Sequence, residues 1–209
     1  AMAILSNLNS KHLYDAAVYH HDQANKFLDS GKKEDSLASF GMASKLYSKF
    51  LEDYPLSPDF YNVQFYYALT LFELSQFTEA AKMFKKVRDN NEYFEHAEDA
   101  SRRLIISYQN ALKQLIAEGT QKVIEKPNPD DLEKLEKIEP IPMNELYIEL
   151  VAVRDKFVTM FPKNTDAPVF AFYNASDFYN HLQFDEARKR FFDLIAKYPK
   201  SEPARYALE

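Results

Sequence analysis

Gln76-Phe77-Thr78-Glu79-Ala80-Ala81-Lys82-Met83-Phe84 returns later in the chain as Gln183-Phe184-Asp185-Glu186-Ala187-Arg188-Lys189-Arg190-Phe191. Six of the nine positions are identical, at an offset of 107 residues. The match continues upstream without a gap: Ala68 pairs with Ala175, Pro55 with Pro162, and Lys49-Phe50 with Lys156-Phe157. Ten identities at one constant offset mark an internal repeat.

The repeated residues describe a helical hairpin. Tyr54-Pro55, Phe161-Pro162 and Tyr198-Pro199 each close an amphipathic run, because proline cannot extend the backbone ladder. Ser57, Asn164 and Ser201 follow at once and can cap the next helix. Ala68 and Ala175 are small enough for two helices to approach closely. Ala80 with Phe84, and Ala187 with Phe191, are i,i+4 pairs that set one small and one large side chain against a neighbour.

Composition agrees. Only three glycines occur among 209 residues (Gly31, Gly41, Gly119), too few for the tight turns of many short strands. Cysteine is absent, which removes disulfides, thiolate-bound zinc and thiol catalysis. The net charge of -6 argues against a general nucleic-acid or anionic-membrane binder, since phosphate neutralisation needs a basic face. No run reaches the length of a membrane span; Leu104 to Ile106 is typical of the short apolar stretches. Ala1-Met2 and Leu208-Glu209 read as cloning remnants, and the helical pattern starting near Pro203 breaks off, so the chain reads as a fragment of a longer protein.

The spacing alanine, twelve residues, alanine, four residues, aromatic, eight residues, proline resembles the tetratricopeptide consensus, with Ala175, Ala187, Phe191 and Pro199 at signature positions. In the other copy Ala68, Ala80 and Phe84 match, Glu92 stands in place of the proline, and Ser75 and Leu182 replace the glycine between helices. The resemblance implies an all-α, right-handed solenoid of about four antiparallel helix pairs, one domain over residues 3–209. The recurring aromatic-proline hairpin end looks like that of bacterial envelope members of the family: outer-membrane assembly lipoproteins, Tol-Pal-associated proteins and gliding-motility proteins. That likeness implies a periplasmic or outer-membrane-associated location, with the cytoplasm as the alternative.

Periodicity predicts helices at about 11–28 and 34–53, an elongated first hairpin in which Ala17 and Ala43 lie 26 residues apart instead of twelve. The 14 extra residues add about two turns to each helix. Further helices are expected at about 58–74, 78–89, 92–117, 143–160, 167–181 and 184–197, with another beginning after 201. Residues 119–142 hold Gly119, Pro127, Pro129, Pro140 and Pro142 among charged residues and read as an exposed insertion in the third hairpin, with a helical turn near 131–137.

Catalytic chemistry finds little support. His20-His21-Asp22 is the only local cluster of metal-capable side chains, but adjacent histidines diverge by about 100° on a helix while chelation needs i,i+4, so it reads as a solvated helix face. His12, His96 and His181 are isolated, and no nucleophile elbow or phosphate loop is present. No enzyme activity, cofactor or metal is expected.

The conspicuous feature is aromatic: 14 Tyr and 17 Phe, clustered at Phe60-Tyr61, Phe65-Tyr66-Tyr67, Phe170 to Tyr173 and Phe178-Tyr179. Most are expected in the core, yet three adjacent aromatics cannot all face one way on a helix. In the family resembled, the first helix of each pair lines a concave groove that receives partners. The resemblance therefore places Asn62, Phe65, Leu69 and Phe72 on the groove, with Arg102, Ile106 and Gln109 and with Val169, Phe172, Tyr179 and Asn180. Such a surface suits a partner peptide or helix in a non-catalytic scaffold, expected to serve assembly of a bacterial envelope complex. The alternatives are a module that binds cell-wall glycan or peptide, and a regulatory domain of a larger enzyme.

Overall fold

A computed structural model describes residues 2–90, 92–134 and 137–208. Every regular element in them is a helix: α1 (Met2–Asp29), α2 (Lys33–Asp53), α3 (Phe60–Glu73), α4 (Phe77–Arg88), α5 (Ala97–Ala117), α6 (Pro129–Leu132), α7 (Glu145–Met160), α8 (Ala167–Asn180), α9 (Phe184–Lys197) and α10 (Glu202–Tyr206). The chain forms two compact units, Ala1–Ser107 and Tyr108–Glu209, whose boundary falls within α5. The expected helical turn near 131–137 falls partly on Leu135 and Glu136, outside the described residues; the helix present there is α6, earlier, with Asn128 capping Asp130 N. The terminal remnants likewise include Ala1 and Glu209, which lie outside them.

The repeat is structural as well as sequential. Both bounds of α8 are those of α3 shifted by 107, and α9 begins at the shifted start of α4. Tyr54, Phe161 and Tyr198 all leave their helices with φ near -130° and ψ near 54°, and each amide bonds back to Phe50, Phe157 or Leu194 O. Ser57, Asn164 and Ser201 then close the turn, donating their amides to the carbonyls of those three aromatics at 2.9 to 3.0 Å. The aromatic-proline corner is thus one local geometry used three times.

The turns of the α1–α2, α3–α4 and α8–α9 hairpins and the end of α5 share a second geometry. Gly31, Ser75, Gly119 and Leu182 all have positive φ, between 57° and 73°. At Ser75 the amide reaches Phe72 O and that of Gln76 reaches Leu71 O; at Leu182 the same bonds run to Tyr179 O and Phe178 O. These are Schellman caps, which satisfy the last helical carbonyls and ordinarily take glycine. Ser and Leu carry the strain of the left-handed region, about 1 kcal/mol each, because the bonds on both sides hold them there.

Unit 1 packs α1 against α2 and α2 against α3, with α3 and α4 as a hairpin. Ala17, Ala43, Tyr47, Phe50 and Val63 form a fully buried cluster where α1, α2 and α3 meet. The alanines let the helices approach and the rings fill the remaining space. The His20-His21-Asp22 segment is not the solvated face expected. His21 is half-buried, edge-on to Phe40, Tyr47 and Tyr66. Its Nδ1 lies 3.1 Å from Thr70 Oγ1, which itself donates to Tyr66 O at 2.8 Å. The threonine proton is therefore committed, so His21 Nδ1–H is the donor. Burial pushes the His21 pKa down, against the pull of Asp22.

In unit 2, α7 packs on α8, α8 pairs with α9, and α10 rests on both members of that pair. The position of Tyr47 is taken by Arg154 and that of Thr70 by Asp177. Arg154 Nη1 donates to Asp177 Oδ2 at 2.6 Å, with both side chains largely buried. Asn174 donates to Val151 O and to Asp155 Oδ1, and Arg190 joins Asp155 to Glu186 while lying 4.6 Å from the Phe178 ring centroid. Burial pushes the Asp177 carboxyl up, and Arg154 and His181 pull it back.

Most described residues of 119–142 are exposed, but the segment is tied down at its end. Ile141 N donates to His181 O at 2.8 Å and Gln183 Nε2 donates to Ile141 O at 2.9 Å. Asn144 caps α7 by accepting from Tyr147 N and also donates to Gln121 Oε1. The segment thus returns to the α8–α9 turn before α7 begins.

Candidate functional site

The groove residues expected from the sequence have first to be read as hairpin parts. Phe65 meets Phe84 at 6.1 Å and Phe172 meets Phe191 at 5.6 Å. Phe72 meets Phe77 and Tyr179 meets Phe184, both pairs at 5.3 Å and edge-on. Each pair joins the first helix of a hairpin to the second, at equivalent positions in the two copies. Such edge-to-face pairs add about 0.5–1.5 kcal/mol beyond burial.

The copies then diverge. In unit 1, His96 stacks on Phe65 at 4.1 Å with an interplanar angle of 4°, and on Tyr61 at 5.6 Å. Its Nε2 lies 3.1 Å from Asn62 Oδ1. Phe65 is consequently buried, 5% exposed, and Asn62 is engaged. Assigning Phe65 to an open groove is therefore corrected: it is core, because a histidine at the entrance to α5 closes over it. Leu69 and Phe72 remain half-buried. Arg102 pairs with Glu98 at 3.6 Å on α5, and Ile106 is half-buried on the same helix.

In unit 2 the position of His96 is Pro203, which offers no aromatic ring to stack. Phe172 stays half-buried, and beside it a cavity of about 410 Å³ opens, lined by Lys126, Phe172, Ser176, Tyr179, Asn180 and Tyr206 among others. Three expected groove residues, Phe172, Tyr179 and Asn180, come together there. Val169 and Gln109 are half-buried and do not line it.

The cavity walls are four aromatic rings (Phe172, Tyr179, Phe191 and Tyr206), a serine hydroxyl, an amide and one lysine. This mixture can bury an apolar side chain while giving a peptide backbone hydrogen-bond partners. The sequence missed Ser176, Lys126 and Tyr206. Ser176 was findable, being one turn from both Phe172 and Asn180; Lys126 sits in the insertion, and nothing local ties it to α8.

A second cavity in unit 2, about 540 Å³, is bordered by Asp155, Arg190, Asp193, Lys197 and Tyr198. Arg190 is already bonded to Asp155 and Glu186, so its charge is used within the fold. No group of three or more metal-capable side chains occurs among the described residues, and no described helix is long and apolar enough to cross a membrane.

Comparison with known proteins places this face in context. No curated protein matches the chain. One solved structure, from Podosopora anserina and described as kinesin light chain nearly identical TPR-like repeats, aligns over 88% of this chain and 95% of its own at 15% identity, with a TM-score of 0.34. That likeness is too loose to bear on the argument. Residues 170–201 match the tetratricopeptide repeat model. The segment runs from Phe170 on α8 through α9 to Ser201, so the match falls on the helix pair that carries the open cavity.

Proposed function

We propose that the chain is a non-catalytic scaffold that binds a protein partner through the α8 face of unit 2. The observation that carries this reading is the cavity beside Phe172, Tyr179 and Asn180, on the first helix of the matched repeat. Tetratricopeptide repeats commonly receive peptides or helices on that helix. Its rings are already fixed by Phe191 and Phe184, so little ordering cost attends binding. An extended peptide placing one apolar side chain between Phe172 and Tyr179, with backbone bonds to Asn180 and Ser176, is the occupant this lining fits.

Assembly of a bacterial envelope complex, in the periplasm or at the outer membrane, is the setting we propose on the strength of the aromatic-proline hairpin ends. The test is selection of peptides from a displayed random library on the immobilised chain. Selected peptides should lose about tenfold in affinity on Asn180→Ala, equivalent to about 1.4 kcal/mol. Peptides whose binding ignores Asn180→Ala and Tyr179→Ala would remove this face from consideration. Binding of glycan fragments that the same substitutions abolish would favour a glycan module instead.

A further inference from the structure

The cavity of about 540 Å³ bordered by α7, α8 and α9 shares no wall residue with the one beside Asn180, and its size suits a small molecule. Val158, Ala171 and Leu194 make the apolar part of its wall. Asp155, Asp193, Arg190 and Lys197 supply two carboxylates and two cations, so the wall carries no net charge. Arg190 and Asp155 already satisfy each other at 3.0 Å. One charge of each sign is left.

Asp193 and Lys197 lie four residues apart on α9, a spacing that ordinarily brings such a pair together. Here they form no ion pair: Lys197 Nζ reaches across to Val158 O on α7 at 3.4 Å, and Asp193 has no partner among the described residues. Tyr198 borders the same space, and its buried hydroxyl likewise has no hydrogen-bond partner among the described residues. A shielded donor without an acceptor is uncommon. At the 107-residue offset Ala171, Arg190, Asp193 and Lys197 fall on Gln64, Met83, Lys86 and Asn90. Gln64 is buried, so a long side chain packs where Ala171 leaves room, and no carboxylate stands beside a cation at those positions of unit 1.

We propose that this cavity binds a free aliphatic α-amino acid. Ammonium and carboxylate share one carbon in such a molecule, so it fits between the two α9 charges. The ammonium meets Asp193; the carboxylate meets Lys197 and accepts from the Tyr198 hydroxyl. The aliphatic side chain lies against Val158, Ala171 and Leu194. A ligand bearing only one charge would leave Asp193 or Lys197 unmatched.

The probe is L-leucine, titrated into the intact chain by isothermal titration calorimetry. It should bind saturably, while isoamylamine, which lacks the carboxylate, and isocaproate, which lacks the ammonium, should bind at least about fivefold more weakly. Asp193→Asn and Lys197→Gln should each weaken leucine binding about fivefold. Ala171→Gln, which installs the unit 1 residue, should remove it, and Asn180→Ala should leave it unchanged. Tyr198→Phe should weaken it with no loss of thermal stability, since only an unpartnered hydroxyl is deleted. Asp193 and Lys197 are exposed, so circular dichroism should show unaltered helicity in those two variants. Absence of saturable leucine binding to the unaltered chain, equal binding of either analogue, or affinity that survives both α9 substitutions overturns the proposal.

Discussion

Tyr47 and Arg154 occupy the same place in two copies of one packing arrangement, and so do Thr70 and Asp177. In unit 1 the helices meet around a neutral knot in which His21 bonds Thr70 among the rings of Phe40, Tyr47 and Tyr66. In unit 2 they meet around an ionic one, Arg154 with Asp177, continued through Asn174 and Asp155 to Arg190. The corners, the left-handed turns and the inter-helix ring pairs hardly differ between the copies. Backbone geometry and small-to-large packing therefore define this hairpin, and the polar chemistry at its centre is interchangeable provided a buried charge is paired, as Arg154 is with Asp177 although its Nε has no hydrogen-bond partner among the described residues.

The largest effect should come from the rings. Phe84→Ala, at a fully buried site, should cost about 3–5 kcal/mol in urea denaturation, and Phe191→Ala clearly less, because its partner Phe172 is only half-buried. Equal losses would break the claim that the two copies are closed to different extents.

Next comes the knot. Asp177→Thr strands Arg154 and should cost about 3 kcal/mol. Adding Arg154→Tyr, which recreates the Tyr47 and Thr70 pair of unit 1, should recover more than half of that loss, measured in the same denaturation series. If the double variant is no more stable than the single one, the ionic knot is specific to its unit and not an exchangeable solution.

A smaller effect separates the two knots by pH. The folded-state pKa of His21 lies below the ordinary histidine value, so the unfolded chain binds its proton more readily. Its contribution to stability is fully present above about pH 6.5 and is lost as pH falls toward the folded value. Asp177, held above its ordinary value, works in the opposite sense and favours the fold as pH falls toward that raised value. Denaturation at pH 7.5 and pH 5.5 should show that His21→Phe removes part of the acid sensitivity of the unaltered chain. An identical loss in both proteins would mean that His21 does not contribute.

Smallest are the turns. Ser75→Gly should raise stability by about 0.5–1 kcal/mol by relieving the positive φ, whereas Leu182→Gly gains less because a half-buried side chain is lost with the strain. Gly31→Ala should cost about 1 kcal/mol although nothing lies within 4 Å of the added carbon, since its φ is +73°.

The helices were legible because their signals are local. The aromatic-proline corners and the alanine register placed α2, α3, α4, α7, α8 and α9 within a few residues of their observed bounds. The substitutions Ser75 and Leu182 at the glycine position were visible too, although only the structure shows that they keep the glycine conformation. The knots were not legible. Arg154, Asn174, Asp177 and Arg190 come from three helices, and no spacing in the chain brings them together. Only the offset alignment could have flagged them, as charges standing where Tyr47 and Thr70 stand in the other copy.

The binding face was half legible for a related reason. The alanine register identifies the helix that faces outward, but not which of its rings a neighbouring segment covers. His96 covers Phe65 from outside any helix, and Pro203 leaves Phe172 open.

The most direct test of the account is Ser176→Trp, which fills the cavity beside Phe172, Tyr179 and Asn180 from a half-buried position without replacing a member of either ring pair. Affinity for the library-selected peptides should fall about tenfold or more while thermal stability stays essentially unchanged. Undiminished peptide binding by a stably folded Ser176→Trp chain would contradict it.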